Sequence, residues 1–331
     1  MDFKASFIQE LHRQQHIDFT ASALALFKYQ AQENSLYKKY LTYLNINIEQ
    51  VTSLRQIPFL PIEFFKSNTV TTGTFDPEIT FYSSGTTQTE RSRHLVSHVD
   101  WYTYNTKLLF EQFYGSLQEY VVLALLPSYL EQGGSSLVKM VEYFIKETRQ
   151  EEEGFYLHDH QGLLKAVHTA KGKGKKVLLI GVSYALLDWA DELQGQEDFN
   201  NVIVMETGGM KGRRKEMVRE ELHAYLKRGF GVDTIHSEYG MTELLSQAYS
   251  QGNGIFSTGY TMHVLLRDLN DPLSIDPELR SGGINIIDLA NVDSCAFIET
   301  KDIGRMRADG GFEVLGRFDN SDIRGCNLLV S

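Results

Sequence analysis

Cysteine and proline are scarce in this chain: it has two cysteines, Cys295 and Cys326, and six prolines among 331 residues. So few thiols exclude a small secreted scaffold held together by disulfides. The stretch "MDFKASFIQELHRQQ" lacks the basic-then-apolar layout of a signal peptide, and no window approaches the roughly 18 apolar residues of a membrane span. The cytoplasm is the expected compartment. Positive charge is also in deficit, at a net −11, which argues against a sequence-independent nucleic-acid or anionic-membrane surface. A small-molecule or protein partner fits better. Hydrophobic residues make up 42%, enough over this length to bury a sizeable core.

The first 50 residues are rich in helix formers and free of proline, with apolar residues at helical spacing in "ALALFKYQAQENSLYKKYLTYL". They predict a helical segment over residues 1–60, followed by one larger domain over 61–331. "IPFLPIEFFK" breaks the helix with two prolines and predicts an extended, packed segment. From about residue 120, apolar runs alternate with helical stretches: "EYVVLALLPS", "KKVLLIGVSYALLDWADEL", "NVIVMETGGMKGRRKEMVREELHAYL" and "VDTIHSEYGMTELLSQ". Strand, glycine-bearing turn and helix in repetition predict an α/β fold with a largely parallel sheet flanked by helices. Beyond about residue 255 the chain turns β-rich, with "GINIIDL", "SCAFIET" and "FEVLGRF". "KGKGKK" at 171–176 reads as a solvated loop before a strand.

The chemistry concentrates in loops. "FYSSGTTQTERSRHLV", residues 81–96, gathers Ser83, Ser84, Gly85, Thr86 and Thr87 ahead of Arg91 and Arg93. Hydroxyl donors, a glycine that lets backbone N–H groups approach a ligand, and guanidinium charge suit a phosphate. An ordinary polar turn is the competing explanation. In parallel sheets ligands bind beyond the carboxyl ends of the strands. The loops there are "LPSYLEQGGSS", "GVSYA", "ETGGMKG" and "SEYGMTE".

Taken together, "YSSGTTQTERSR", "TGGM", "YGMTE" and "TKDIGRMRADGGFEVLGRFDNSDIRG" resemble, in order and spacing, the ATP-binding motifs of the adenylate-forming superfamily of acyl-CoA synthetases, peptide-synthetase adenylation domains and luciferases. The resemblance covers roughly residues 60–331. It implies the fold of that superfamily's N-terminal domain, with mixed, largely parallel sheets and a β-rich C-terminal part. "IPFLPIEFFK", and an end soon after "GRFD" that leaves no room for the lysine-bearing C-terminal domain, resemble the LuxE-type acyl-protein synthetases of fatty-acid reductase systems. By that resemblance Ser83 to Arg93 would hold the β- and γ-phosphates of ATP, and Thr242 and Glu243 would take the α-phosphate and Mg²⁺. Tyr239 and Gly240 would lie by adenine, Gly208 and Gly209 would pass its edge, and Asp302 would accept from the ribose. Arg317 marks the hinge. Gln88 stands where the superfamily has a glycine, and Arg91 or Arg93 must replace its usual lysine.

Cys326, in "DIRGCNLLVS", matches the tail cysteine that receives the acyl group in those synthetases. An extended chain covers ~3.3–3.6 Å per residue, so the stretch from Arg317 would let this thiol travel about 30 Å. Arg324 favours its thiolate and Asp322 opposes it. The implied activity is an ATP-dependent acid–thiol ligase: it adenylates a carboxylic acid, of the fatty type by resemblance, loads the acyl group onto Cys326, and passes it to a partner such as an acyl reductase. Competing readings are an acyl-CoA ligase-like enzyme, a nucleotide-binding protein without turnover, and a serine hydrolase in which "IGVSYA" makes Ser183 the nucleophile with His236 as base. Single residues also have plainer alternatives. Glu243 could begin a helix, Asp302 could be a turn residue, Cys295 reads as a core residue, and His158 and His160 read as surface residues.

Overall fold

The computed structural model describes residues 3–13, 17–84, 91–128, 133–208, 214, 217–276 and 278–318. Helices α1 (Phe3–Arg13), α2 (Phe19–Glu33) and α3 (Ser35–Tyr43) come first. Asp18 and Asn34 cap the second and third by accepting the backbone N–H groups of Ala21 and Tyr37. Gln30 ties α2 to the far end of the chain: its buried amide donates to Asn291 O and Val292 O and accepts from Ala296 N.

The proline-bearing segment forms strand β1 (Leu60–Pro61) and one helical turn, α4 (Phe64–Ser67), so it is only partly extended. The hydroxyl-rich stretch is carried by a hairpin of β2 (Ile79–Tyr82) and β3 (Arg93–Val96), followed by α5 (Val99–Tyr114). Strand and helix then alternate through β4 (Tyr120–Leu125), α6 (Ser136–Thr148), β5 (Gly154–Phe155), α7 (His160–Gly172), β6 (Lys176–Gly181), α8 (Ser183–Leu193), β7 (Val202–Glu206), α9 (Arg219–Phe230) and β8 (His236–Tyr239). Strands β9 (Ala248–Ser250), β10 (Ile255–Thr258), β11 (Met262–Arg267), β12 (Ser281–Asp288), β13 (Phe297–Met306) and β14 (Phe312–Arg317) complete the described chain.

One sheet joins most of these strands in the order β5, β4, β6, β7, β8, β9, β10, β14, β13, β12, β11, with β1 pairing alongside β13. It is parallel from β5 to β8 and antiparallel from β8 to β11. Helices on both faces explain why β4 and β6 read as continuous apolar runs, buried throughout except at Lys176. Among the described residues no helix is long and apolar enough to cross a membrane.

At the carboxyl end of β7, Glu206 ties neighbouring elements together. Its Oε2 accepts from Gly208 N at 2.7 Å and from the Ser183 hydroxyl, at the start of α8, at 3.3 Å. Its Oε1 accepts from Arg219 of α9 at 2.6 Å and lies 3.5 Å from His223. Burial alone would raise its pKa, but His223, Arg219 and Ser237 overcome that and bring it down to about 2. A carboxylate depressed in the folded state contributes stability above its unfolded pKa and loses it as pH falls toward the folded value. Glu206→Gln is therefore expected to lower stability at pH 7 by about 3 kcal/mol, from a shift of this size. Urea unfolding from pH 7 down to pH 3 checks this: the difference between wild type and variant should shrink below about pH 4.5. A difference that stays constant with pH would remove Glu206 from this role.

Candidate active site

Where the β2–β3 hairpin meets the loop after β8 and the end of β14, a cleft of about 460 Å³ opens. Ser83, Ser84, Gly240, Thr242, Glu243, Asp302 and Arg317 all line it, joined by Lys66, Ser92, Thr300 and Lys301. Residues distant in sequence thus bring hydroxyls, two carboxylates and three cations to one place. Gly85, Thr86, Thr87, Gly209 and Cys326 lie outside the described residues.

The hairpin arms are pinned where they enter the connecting loop. Ser83 N donates to Ser92 O, Ser92 N donates to Ser83 Oγ at 2.8 Å, and Arg91 Nε donates to Ser83 O with its guanidinium over the Tyr82 ring. Arg91 is thus built into the hairpin, whereas Arg93 is exposed. Sequence reasoning overlooked Lys66 and Lys301. Lys66 sits in the segment "IPFLPIEFFK" and Lys301 directly precedes Asp302, where it pairs with Glu63 at 2.5 Å.

Glu243 does not begin a helix. It lies in the irregular loop between β8 and β9 and is 5% exposed. Burial raises its pKa, countered by a hydrogen bond from Ser92 and by the charges of Arg317 and Lys66. Its loop is held from below. Asn291 donates its amide to Glu243 O at 2.8 Å, and His94 places Nδ1 2.8 Å from Thr242 O and Nε2 3.1 Å from Asn291 Oδ1. Burial outweighs these two acceptors and lowers the His94 pKa to about 4. Asp288 accepts from Leu245 N at 2.7 Å and from the Ser246 hydroxyl at 2.6 Å, and burial pushes its pKa up to about 6.

Asp302 is a strand residue of β13, not a turn residue. It accepts from the Tyr239 hydroxyl at 2.7 Å and faces Arg317 at 3.9 Å; burial raises its pKa against those partners. The Tyr239 ring is 8% exposed and packs on Phe256 and Phe312.

Gly208 lies elsewhere. It lines a neighbouring cavity of about 660 Å³ with Ser183, Glu206, Arg219 and His223. Its φ of 75° is a left-handed conformation that only glycine adopts without strain. Ser183 is 1% exposed and bonded to Glu206, while His236 pairs with the Tyr114 hydroxyl. No hydrogen bond joins Ser183 to His236 among the described residues, as a nucleophile and its base would need. Cys295 is fully buried, with its thiol pKa pushed up to about 12. His160 pairs with Glu192 at 2.8 Å, and among the described residues no three His, Cys, Asp or Glu side chains cluster as a metal site.

No family model matches the sequence, and no curated protein sequence does. Solved structures do share the fold. The ATP-bound MatB from Rhodopseudomonas palustris aligns with a TM-score of 0.54 at 16% identity, covering 74% of this chain and 49% of that one. A 2-hydroxyisobutyryl-CoA ligase, in its postadenylation state with 2-HIB-AMP, aligns with a TM-score of 0.62 at 10% identity, covering 91% of this chain and 67% of that one. The chain thus spans about half the length of the MatB it resembles. The architecture is that of the N-terminal domain of adenylate-forming enzymes: a large mixed sheet flanked by helices, with a β-rich C-terminal part.

Proposed function

We propose that this protein is an AMP-forming acid–thiol ligase of the acyl-protein synthetase type, acting in the cytoplasm, where its thiols stay reduced. The observation that carries the proposal is the convergence of Ser83, Ser84, Thr242, Glu243, Asp302 and Arg317 on one cleft. The hydroxyls of Ser83, Ser84 and Thr242 are donors for phosphate oxygens, and Lys66, Lys301 and Arg317 neutralise phosphate charge. By the resemblance Thr86, Thr87, Arg91 and Arg93 share that role. Asp302, oriented by Tyr239, accepts from the ribose hydroxyls. Glu243 fits a Mg²⁺ ion: it is a buried carboxylate opening onto a cleft made for phosphates, and Mg²⁺ binds through one or two carboxylates plus substrate phosphates. When bound, the ion would supply further neutralisation of the triphosphate.

In the first step a carboxylate oxygen of the acid, fatty by the resemblance, attacks the α-phosphorus of ATP in line. The bond to the bridging oxygen breaks and pyrophosphate leaves, so the protein's task is positioning and charge neutralisation. In the second step the Cys326 thiolate attacks the acyl carbonyl and expels AMP, giving a thioester that a partner such as an acyl reductase takes over.

Acid-dependent exchange of pyrophosphate into ATP, measured across a panel of carboxylic acids, tests the first step. Glu243→Gln is expected to lower exchange by about 10²-fold or more while the protein stays folded, the size expected for lost charge stabilisation. Wild-type exchange by this variant at limiting Mg²⁺ would remove the metal role from Glu243. For the second step, Cys326→Ser should keep the exchange yet fail to be labelled by radioactive acid plus ATP. The wild type should carry a label that survives denaturation and is released by neutral hydroxylamine. Equal labelling of both proteins would rule Cys326 out as the acceptor.

A further inference from the structure

Beside the cleft lies a cluster of polar side chains to which no step of that chemistry assigns a role. Along β8, Ser237 and Tyr239 face His223 and Asp302, so Glu238 and Gly240 face the opposite side, toward α5. Register pairs Glu238 with Tyr249 and Tyr239 with Ala248, which puts Gln247 and Tyr249 on that same side. A Cβ on Gly240 would lie 2.4 Å from Glu238 Oε1 and 3.5 Å from Gln247 Cγ. Gly240 also lines the cleft, so the carboxylate and the amide side chain flank the residue that borders the nucleotide.

Among the described residues these groups have no partners. Gln247 Oε1 and the Tyr249 hydroxyl are buried without a hydrogen bond, in side chains 3% and 1% exposed. Glu238 is half-buried and makes no hydrogen bond or ion pair with the described residues; burial and the charge of Glu206 push its pKa up to about 8. The surroundings are aromatic, with Phe110, Phe113 and Tyr114 packed around Tyr249. Buried polar atoms without partners are uncommon and costly, and a carboxylate, an amide oxygen and a phenol oxygen together form an acceptor for a donor group. We infer, resting on the ligase reading, that the acid activated here bears a hydrogen-bond donor, a hydroxyl or an ammonium, close to its carboxylate, received by Glu238, Gln247 and Tyr249.

The test compares acids of equal chain length, unsubstituted or carrying a hydroxyl or amino group at carbon 2 or 3, by pyrophosphate exchange and by calorimetric binding. One substituted acid should exceed the unsubstituted acid in kcat/KM by at least about tenfold, since a site built for a donor rejects analogues without one. The better of the two substituents identifies the donor. Tyr249→Phe, which keeps the shape, and Glu238→Leu should each bring the ratio toward one. Equal or better use of the unsubstituted acid would overturn the inference and leave the ligase reading standing. Selective binding of a substituted acid without exchange would keep the acceptor cluster and overturn the ligase reading. Absence of both exchange and binding with every acid would overturn both.

Discussion

The cleft depends on an irregular loop, residues 240–247, whose backbone groups belong to no strand ladder or helix of their own. Buried peptide groups require partners. Here they come from elements remote in sequence: Asp288 at the end of β12, Asn291 just beyond it, and His94 on β3. Because His94 belongs to the hairpin and Asn291 to the segment after β12, the same bonds that hold Thr242 and Glu243 also fix the hairpin against the sheet. Gln30 extends this outward, for its amide donates to Asn291 O and Val292 O. The N-terminal helices are therefore part of the support of the site.

The composition of that support explains its low charge. His94 stays neutral near pH 7 because burial lowers its pKa to about 4, so its single N–H donates to one of Thr242 O and Asn291 Oδ1 at a time. The cations that face the cleft are Lys66, Lys301 and Arg317, on its rim. Positive charge meets a ligand at the opening, and the uncharged His94 and Asn291 hold the floor together with the Asp288 carboxylate. Such an arrangement lets the rim cations remain hydrated without a ligand, which avoids the cost of burying an unpaired charge.

Sequence order carried the short-range part of this well. "YGMTE" brings Thr242 and Glu243 to one loop, the serines of "YSSGTT" reach the same cleft, and the alternation of apolar runs with helical stretches gives the parallel sheet. What it could not carry is contact between distant segments. Nothing near His94 or Asn291 announces that the two will meet, because their partners lie 148 and 197 residues away. Asp302 looks like a turn residue in "KDIG" but occupies a long strand, since pairing with β12 and β14 overrides local turn chemistry. Ser183 resembles a nucleophile only until Glu206, contributed by the next strand, takes its hydroxyl.

Two carboxylates on neighbouring strands show how partners, more than burial, decide charge. Glu206 is held near pKa 2 by His223, Arg219 and Ser237, while Glu238, lacking such partners, is raised to about 8 by burial and by the charge of Glu206. Their effects on folding have opposite sign. Between about pH 4.5 and 8 folded Glu238 keeps a proton that the unfolded chain has lost, so its contribution to stability declines as pH rises through that window. An apolar residue of similar volume would avoid this cost. A group that weakens the fold beside a cleft fits the pattern of natural sites, which often trade stability for function.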